Sequence, residues 1–403
     1  MDPLVTAVFA LTYAGMMLGG WPGLAIDRAG IALLGAIVLL ATGRLSMDAA
    51  VQAIDAPTLA LLFGLMVVSA QFRMSGFYGA VVERLARLGL SPAPLLALVI
   101  GAAGLLSAVL VNDIVCLAMA PALITLCRKQ QLDARPFLLA LACASNVGSA
   151  ATLIGNPQNM LVGEMLGLSF TGYLWFAGLP AVAGLAAVWA LIHQQWHTRY
   201  AQPSSIGETQ APAHRLWPTC KGLIVVAGVM AAFLLTDWPR ALVALAAAGV
   251  LLVSRDMASR DIVSRIDWHL LVLFGGLFIV NQAMQQTGVP ALLLADAQRH
   301  GLDLTQPAPL FATTVLLSNV VSNVPAVMLL LPAATHPLAG PILALASTLA
   351  GNLLLIGSIA NLIVVDQARD RGVLIDWRMH LRIGAPVTLT TLGIAAGWLW
   401  AAG

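Results

Sequence analysis

Ser145 to Asn159 reads SNVGSAATLIGNPQN, and Ser347 to Asn361 reads STLAGNLLLIGSIAN. The two stretches align at an offset of 202 residues. Each lies in a long apolar run and interrupts it with a glycine and a polar residue: Gly155-Asn156-Pro157 in the first, Gly357-Ser358 in the second. Pro157 removes a backbone donor, and Gly155 and Gly357 loosen a helix. Non-helical backbone at membrane depth is tolerated only where protein or a water-filled cavity satisfies it.

Outward from these breaks, the match extends to both halves of the chain. Leu62 to Gly76 (LFGLMVVSAQFRMSG) meets Phe274 to Gly288 (FGGLFIVNQAMQQTG) at an offset of 212, and Trp21-Pro22 is echoed by Trp238-Pro239. Asn112-Asp113 meets Ser322-Asn323 at 210. The order is kept while the offset drifts, as changes in loop length would produce.

Composition sets the solvent. Of 403 residues, 60% are hydrophobic and 9% charged, with a mean hydropathy of +0.90. Soluble domains carry roughly 25% charged residues, so a water-soluble globule is excluded. Low net charge with high apolar content excludes disorder. A formal charge of +2 gives no basic footprint for nucleic acid. The apolar runs are long and continuous, which argues for helices over a β-barrel.

Ten runs meet or approach a membrane span: 3–20, 29–43, 56–72, 136–163, 172–194, 221–236, 239–254, 268–285, 340–365 and 380–402. Two further runs, 92–127 and 305–335, are too long for one span and carry polar residues at their centres. Each is read as a re-entrant hairpin that enters and leaves on one side. With the N-terminus outside, 17 of the 20 Lys and Arg then fall inside, leaving only Arg44, Arg240 and Arg299 outside, in keeping with the positive-inside rule. Reading either hairpin as a full span would invert all that follows and spoil this bias. The expected fold is an all-α integral membrane protein of about ten spans and two hairpins. Residues 1–194 form the first repeat, with hairpin 92–127 and broken span 136–163. Residues 195–220 form a cytoplasmic linker. Residues 221–403 form the second repeat, with hairpin 305–335 and broken span 340–365. Five spans per repeat is odd, so the second is inverted. Inverted repeats with interrupted helices mark secondary transporters, whose sites lie at the repeat interface.

The polar residues concentrate at four places: the tips Asn112-Asp113 and Ser322-Asn323, and the breaks Gly155-Asn156-Pro157-Gln158-Asn159 and Gly357-Ser358-Ile359-Ala360-Asn361. Free N–H groups at a broken helix attract anions and free carbonyls attract cations, so this pattern suits a small anion beside a cation. Isolated Asn or Ser residues also join packed helices by hydrogen bonds, but four clusters at repeat-matched positions exceed that role. Asp113 is the only carboxylate at the centre of an apolar segment. A charge there costs about 2.5–3.5 kcal/mol or more, and no Lys, Arg or His lies in an apolar core to pair with it. Coupling to H+ or Na+ follows as an expectation; a permanently protonated structural Asp is the alternative.

The remaining chemistry is sparse. The four cysteines have no metal-ligand spacing and read as small membrane residues, with a thiol site for a soft oxyanion as the minor alternative. The seven histidines lie near span ends or in loops and suggest neither a relay nor a metal site. Segments 77–88 and 289–300 read as interfacial amphipathic helices bracing the hairpins. Eight of the ten tryptophans lie near span ends, as an interfacial belt requires.

The tips and breaks, with VND, IGNPQNMLVG, SNVPAVMLLLP and GSIANLIV, resemble the ion transporter superfamily. This group includes bacterial anion permeases, citrate transporters, the arsenical pump membrane subunit and divalent-anion/sodium symporters. The resemblance runs from about Trp21 to the end. It implies substrate contacts from Asn112, Asp113, Asn156, Pro157, Asn159, Ser322, Asn323, Ser358 and Asn361. It implies ion coupling through Asp113, Asn112, Gly155, Ser322, Asn323 and Gly357. It also implies a homodimer with a scaffold and an elevator-like transport domain. Where the symporters carry Ser-Asn-Thr tips, this chain has Ile114 and Val324 in place of the threonines, and Asp113 in place of an asparagine. An ionised Asp113 repels a dianion in a low-dielectric site, and the Asn-Asp tip is closer to that of the arsenical pump branch.

The expected function is therefore a secondary permease in a bacterial inner membrane, moving a small inorganic or organic anion with H+ or Na+. No cofactor is expected beyond a coupling Na+. A Na+/H+ antiporter, an arsenite/antimonite efflux permease and a passive anion channel are the alternatives. An enzyme is disfavoured: no second central acid and no HExxH pair is present, and without a Walker A sequence any ATP dependence would need a separate subunit.

Overall fold

Among the described residues, Asp, Asn and Ser side chains start ten of the helices. Asp55 accepts from the backbone N–H of Thr58 at 2.7 Å, and Asp267 accepts from that of Leu270 at 3.0 Å. Such caps satisfy donors that a helix leaves free. These two caps are 212 residues apart, the offset of the repeat. The computed structural model describes residues 2–197, Tyr200 and 214–402. Its helices fall into two matching series of ten. The first comprises α1 (Pro3–Leu18), α2 (Arg28–Ala41), α3 (Met47–Ala53), α4 (Ala56–Met74), α5 (Phe77–Ala86), α6 (Pro92–Val109), α7 (Asn112–Lys129), α8 (Ala134–Ser149), α9 (Pro157–Met165) and α10 (Phe170–Trp196). The second comprises α11 (Leu216–Leu235), α12 (Arg240–Leu252), α13 (Ser259–Val263), α14 (Trp268–Gln286), α15 (Val289–Arg299), α16 (Pro307–Val321), α17 (Asn323–Leu330), α18 (Ala339–Ala350), α19 (Ile359–Arg369) and α20 (Trp377–Ala402). Among the described residues there is no strand, only one isolated bridge between Gly20 and Asp27.

The hairpins are α6–α7 and α16–α17, and the broken spans are α8–α9 and α18–α19. Among the described residues, six helices (α4, α6, α10, α11, α14 and α20) are by themselves long and apolar enough to cross a bilayer. The first hairpin is the longer. α6 and α7 have 18 residues each, about 27 Å at 1.5 Å per residue, against 15 and 8 residues in α16 and α17. Length alone would let α6 span. Its far end instead meets a break, where the Asn112 N–H donates to Gly155 O at 3.1 Å. α5 packs on both arms of the first hairpin, whereas α15 packs on α14. Most of the stretch read as a linker, 195–220, lies outside the described residues.

Packing crosses between the series. α2 lies against α14, and α4 against α12. The contact is backbone to backbone at symmetry-matched glycines. A Cβ on Gly64 would stand 2.6 Å from the carbonyl carbon and oxygen of Ala244. On Gly276 it would stand 2.6 and 2.8 Å from those of Ala32. Both pairs follow the offset of 212, as close approach of membrane helices through small residues requires.

Charged side chains join residues that the sequence assigns to the same face. Arg44 pairs with Asp2 at 2.8 Å and Arg240 with Glu164 at 2.7 Å, both on the face assigned outside. On the inner face Lys221 donates to Val253 O at 2.6 Å, Arg215 to Asp256 O at 3.3 Å, and Arg128 to Arg371 O. Arg240 also donates to Gly163 O and Leu168 O, at 2.7 and 2.6 Å. It thereby covers the carbonyl end of α9 with a cation, as the helix dipole favours.

Because the two glycine contacts are equivalent, Gly64→Val and Gly276→Val should each destabilise the protein to a similar degree. The expected cost is roughly 1–3 kcal/mol of overpacking, read as matched falls in Tm of purified protein. A loss in one and none in the other would break the symmetry argument.

Candidate functional site

The first break is built by its own side chains. Asn156 is extended, and its Oδ1 accepts from the N–H of Asn159 at 2.9 Å, which caps α9. Pro157 takes the first helical position, where its missing donor costs nothing. Asn159 Nδ2 donates to Thr152 O at 2.9 Å and to Tyr173 OH at 3.2 Å. Gly155 has no room for a side chain, since a Cβ would stand 2.3 Å from Ser149 O. The second break follows the same plan. Ser358 Oγ accepts from the N–H of Ala360 at 3.2 Å and caps α19. Asn361 Nδ2 donates to Gly351 O at 2.8 Å and to Leu354 O at 3.2 Å. Gly357 stands beside Gly351 O and Asn319 Oδ1, which a Cβ would approach to 3.1 and 3.3 Å.

Each break is then tied to the other series by one residue. Thr348, at the end of α18, receives Asn156 Nδ2 at 3.2 Å and Gln158 Nε2 at 3.0 Å, and its hydroxyl lies 3.1 Å from Asn159 Oδ1. Asn146, in the last turn of α8, donates to Asn352 Oδ1 at 2.8 Å and to Asn361 Oδ1 at 3.2 Å. Its Oδ1 accepts from Ser358 Oγ at 3.0 Å and from Asn112 Nδ2 at 3.3 Å. Asn146 and Thr348 are repeat equivalents at the offset of 202. Ser149 closes the network, donating to Asn146 O and accepting from Asn156, both at 2.9 Å.

The tips differ. At the first, Asn112 joins the network, and its carbonyl accepts from Ser145 Oγ at 3.3 Å. Asp113 is half-buried and makes no hydrogen bond or ion pair among the described residues. The charge that bears on it is another carboxylate, Asp267. At the second tip, Ser322 has φ 78° and ψ 161°, a region that essentially only glycine occupies and that costs a side chain of order 1–3 kcal/mol. Asn323 is buried, with its amide nitrogen beside Gly351. Ser322 and Asn323 side chains make no hydrogen bond to the network.

Residues 112, 156, 159, 358 and 361 are thus brought together by hydrogen bonds, with Gly155 and Pro157 shaping the first break and Gly357 the second. Asp113, Ser322 and Asn323 flank this network without bonding to it. Sequence reasoning missed Asn146, Thr348, Asn352 and Ser149. Two of these, Asn146 and Thr348, occupy aligned positions within the quoted repeat, which was the available signal. It also placed His380 at a span end; its ring is buried and lies 3.1 Å from Asn352 O, against the second break.

The electrostatics follow from this geometry. α7, α9, α17 and α19 all begin at the tips or breaks, and helix starts carry free N–H groups and partial positive charge. Buried amide oxygens of Asn112, Asn319 and Asn323 have no donor among the described residues, against one unpartnered amide nitrogen, on Asn352. Unmatched buried oxygens suit a proton donor or a hard cation. No group of three or more His, Cys, Asp or Glu poised for a metal occurs among the described residues.

An all-helical membrane fold with two hairpins facing two broken spans defines a transporter, and comparison with known proteins agrees. The family model for citrate transporters matches residues 13–342, and the chain belongs to that family. It is 33% identical to the inner membrane protein YbiR of Escherichia coli over 82% of this chain and 84% of that one. It is 30% identical to the silicon efflux transporter LSI3 of Oryza sativa subsp. japonica over 93% of each. An uncharacterised transporter of Mycobacterium tuberculosis is 27% identical over 98% of each. Among solved structures, the YdaH transporter of Alcanivorax borkumensis shares the fold, with a TM-score of 0.61 and 16% identity over 99% of this chain and 97% of that one. The chain is accordingly a multi-pass inner-membrane transporter.

Two substitutions test the construction. Asn146→Ala removes four side-chain bonds and strands their buried partners, so it should cost on the order of 3 kcal/mol, read as a lower Tm in detergent. Ser322→Gly relieves the backbone at the second tip and should raise stability by about 1 kcal/mol. An unchanged or lower Tm in Ser322→Gly would show that the tip is not strained.

Proposed function

We propose that this transporter is a secondary permease for a small oxyanion or its neutral oxyacid, coupled to H+ or Na+ through Asp113 and the unpaired amide oxygens of the tips. The observation that carries this reading is the mismatch at the site: helix starts and amides converge with no lysine or arginine bonded to the network, and the carboxylate beside it, Asp113, has no partner among the described residues. A dianion would meet Asp113 without a guanidinium to hold it. A neutral or singly charged oxyacid can instead be gripped by Asn, Ser and backbone N–H groups. The silicon efflux activity named for one relative supports this class, since silicon travels in water near neutral pH as an uncharged hydroxy acid. Arsenite is similarly uncharged near pH 7, so arsenite/antimonite efflux stays within the same reading.

In this scheme the α6–α9 and α16–α19 elements move as a transport unit against a scaffold built around α2, α4, α12 and α14. Hairpin tips close alternately over the breaks, and a homodimer holds the scaffold in the bilayer. Residues 1–194 and 221–403 are the two inverted repeats, joined by a cytoplasmic linker.

Proteoliposome currents on a solid-supported membrane would test the reading with citrate, succinate, sulfate, phosphate, arsenite and silicate, with and without Na+ and across pH. The expected result is a saturable current with arsenite or silicate that depends on H+ or Na+ and falls at least about tenfold in Asp113→Asn. Wild-type coupling in Asp113→Asn would remove Asp113 from the mechanism. Cation-dependent current with no need for any panel member would point to Na+/H+ exchange. Linear flux indifferent to both gradients would make the protein a channel.

A further inference from the structure

A cavity of about 620 Å3 opens between the end of α4, α5, α7, α19 and the α12–α14 connection. Its wall carries Arg73, Arg215, Arg265 and Arg371 against two carboxylates, Asp256 and Asp261. All four arginines belong to the face that the sequence assigns to the cytoplasm. Positive-inside bias accounts for their side, but not for the state of their side chains. Arg73 and Arg265 make no ion pair or hydrogen bond among the described residues, although Arg73 is half-buried and the two bear on each other as like charges. Arg371 turns one terminal nitrogen to Gln367, 3.0 Å from its Oε1, and leaves its Nε buried without a partner. Tyr78 also lines the cavity. It is only 2% exposed, and its hydroxyl has no partner. Asp256 and Asp261 are both exposed and neither forms an ion pair among the described residues.

Unpaired guanidinium groups facing one cavity, with a buried hydroxyl beside them, form a cradle for an oxyanion: arginine matches carboxylate, sulfate and phosphate oxygens with paired N–H donors. We propose that this cavity is a second anion-binding site at the cytoplasmic mouth, taking a multivalent oxyanion on Arg73, Arg265 and Arg371 with the Tyr78 hydroxyl as a further donor. It is distinct from the tips and breaks, which hold no cation. Its ligand is a free oxyanion or the phosphate of an anionic lipid headgroup, since both present the same oxygens. The site does not depend on what the permease carries, and it is tested by equilibrium binding.

The probe is radiolabelled sulfate with the purified full-length protein in lipid-free detergent. Saturable binding is expected, with Kd at least tenfold weaker in Arg73→Gln and in Arg265→Gln, weakening further with added salt, and within twofold of wild type in Asp113→Asn. Arg265 is exposed, so Arg265→Gln leaves the fold intact, and Tm without sulfate checks both variants. Repeating the titration in nanodiscs of phosphatidylcholine, with and without phosphatidylglycerol, separates the sources: competition by phosphatidylglycerol assigns a headgroup, and its absence a free anion. No saturable binding, equal binding in the arginine variants, or loss in Asp113→Asn alone would overturn the proposal.

Discussion

Backbone that leaves the helix inside a bilayer must find its hydrogen bonds within the protein, and the rest of this fold is arranged around meeting that demand twice. Asn156 and Asn159 serve the first break, and Ser358 and Asn361 serve the second. These side chains are themselves buried amides and hydroxyls that need partners. The partners come from the opposite series: Thr348 for the first break, and Asn146 for the second. Neither half can satisfy its break alone. The crossing of α2 on α14 and α4 on α12 therefore has a counterpart in the polar centre, and the two layers of contact enforce each other.

The frame is symmetric, but the chemistry set into it is not. Asp113 aligns with Asn323, Val109 with Asn319, and Asn146 with Thr348. The first tip is fastened to the network through Asn112. The second is held in a strained turn at Ser322, with unpaired oxygens on Asn319 and Asn323. Under the proposed inverted-repeat arrangement, a duplicated scaffold would supply two equivalent approaches from opposite faces. Under the proposed function, substitution at matched positions would make one tip a place for a titrating acid and the other a place for neutral oxygen ligands. Strain at one tip and an unpartnered carboxylate at the other are features that packing alone would not retain.

Much of this was legible in sequence because the bilayer simplifies the code. Apolar length marks spans, Gly155, Pro157 and Gly357 mark breaks, and Asn112-Asp113 and Ser322-Asn323 mark tips. The hidden part was pairing. Asn146 is one of a few polar residues in an apolar helix, and nothing local says that it has four partners, three of them across the repeat interface. Gly64 and Gly276 were inside a recognised match, yet a glycine in a membrane helix has many uses, and only the opposing backbones of Ala244 and Ala32 show which applies. Tyr78 and Arg73 looked like parts of an interfacial stretch and a loop, because sequence reveals the side of a charge and not whether its partner is missing.

The two faces of the molecule bear differently on alternating access. On the face assigned outside, Arg240 at the start of α12 grips Glu164, the Gly163 carbonyl in the last turn of α9 and the Leu168 carbonyl just after it. On the face assigned to the cytoplasm, a cavity opens among α4, α5, α7 and α19, while α5 stays packed on α7. Under the proposed mechanism α9 and α19 belong to the moving unit, and α4 and α12 to the scaffold, so the Arg240 contact would hold the unit on one side while the cavity leaves it room on the other. Moving outward would require Arg240 to release a nearly buried carboxylate, and removing one partner of such a pair is strongly unfavourable. Something must offset that cost. Closing the inner cavity would bring Arg371 towards Arg73 and Arg265, which like charges oppose unless an anion lies between them. An oxyanion in the inner cavity would therefore do more than wait at the entrance: it would lower the electrostatic barrier to closure on the side where the unit must close when the outer contact opens.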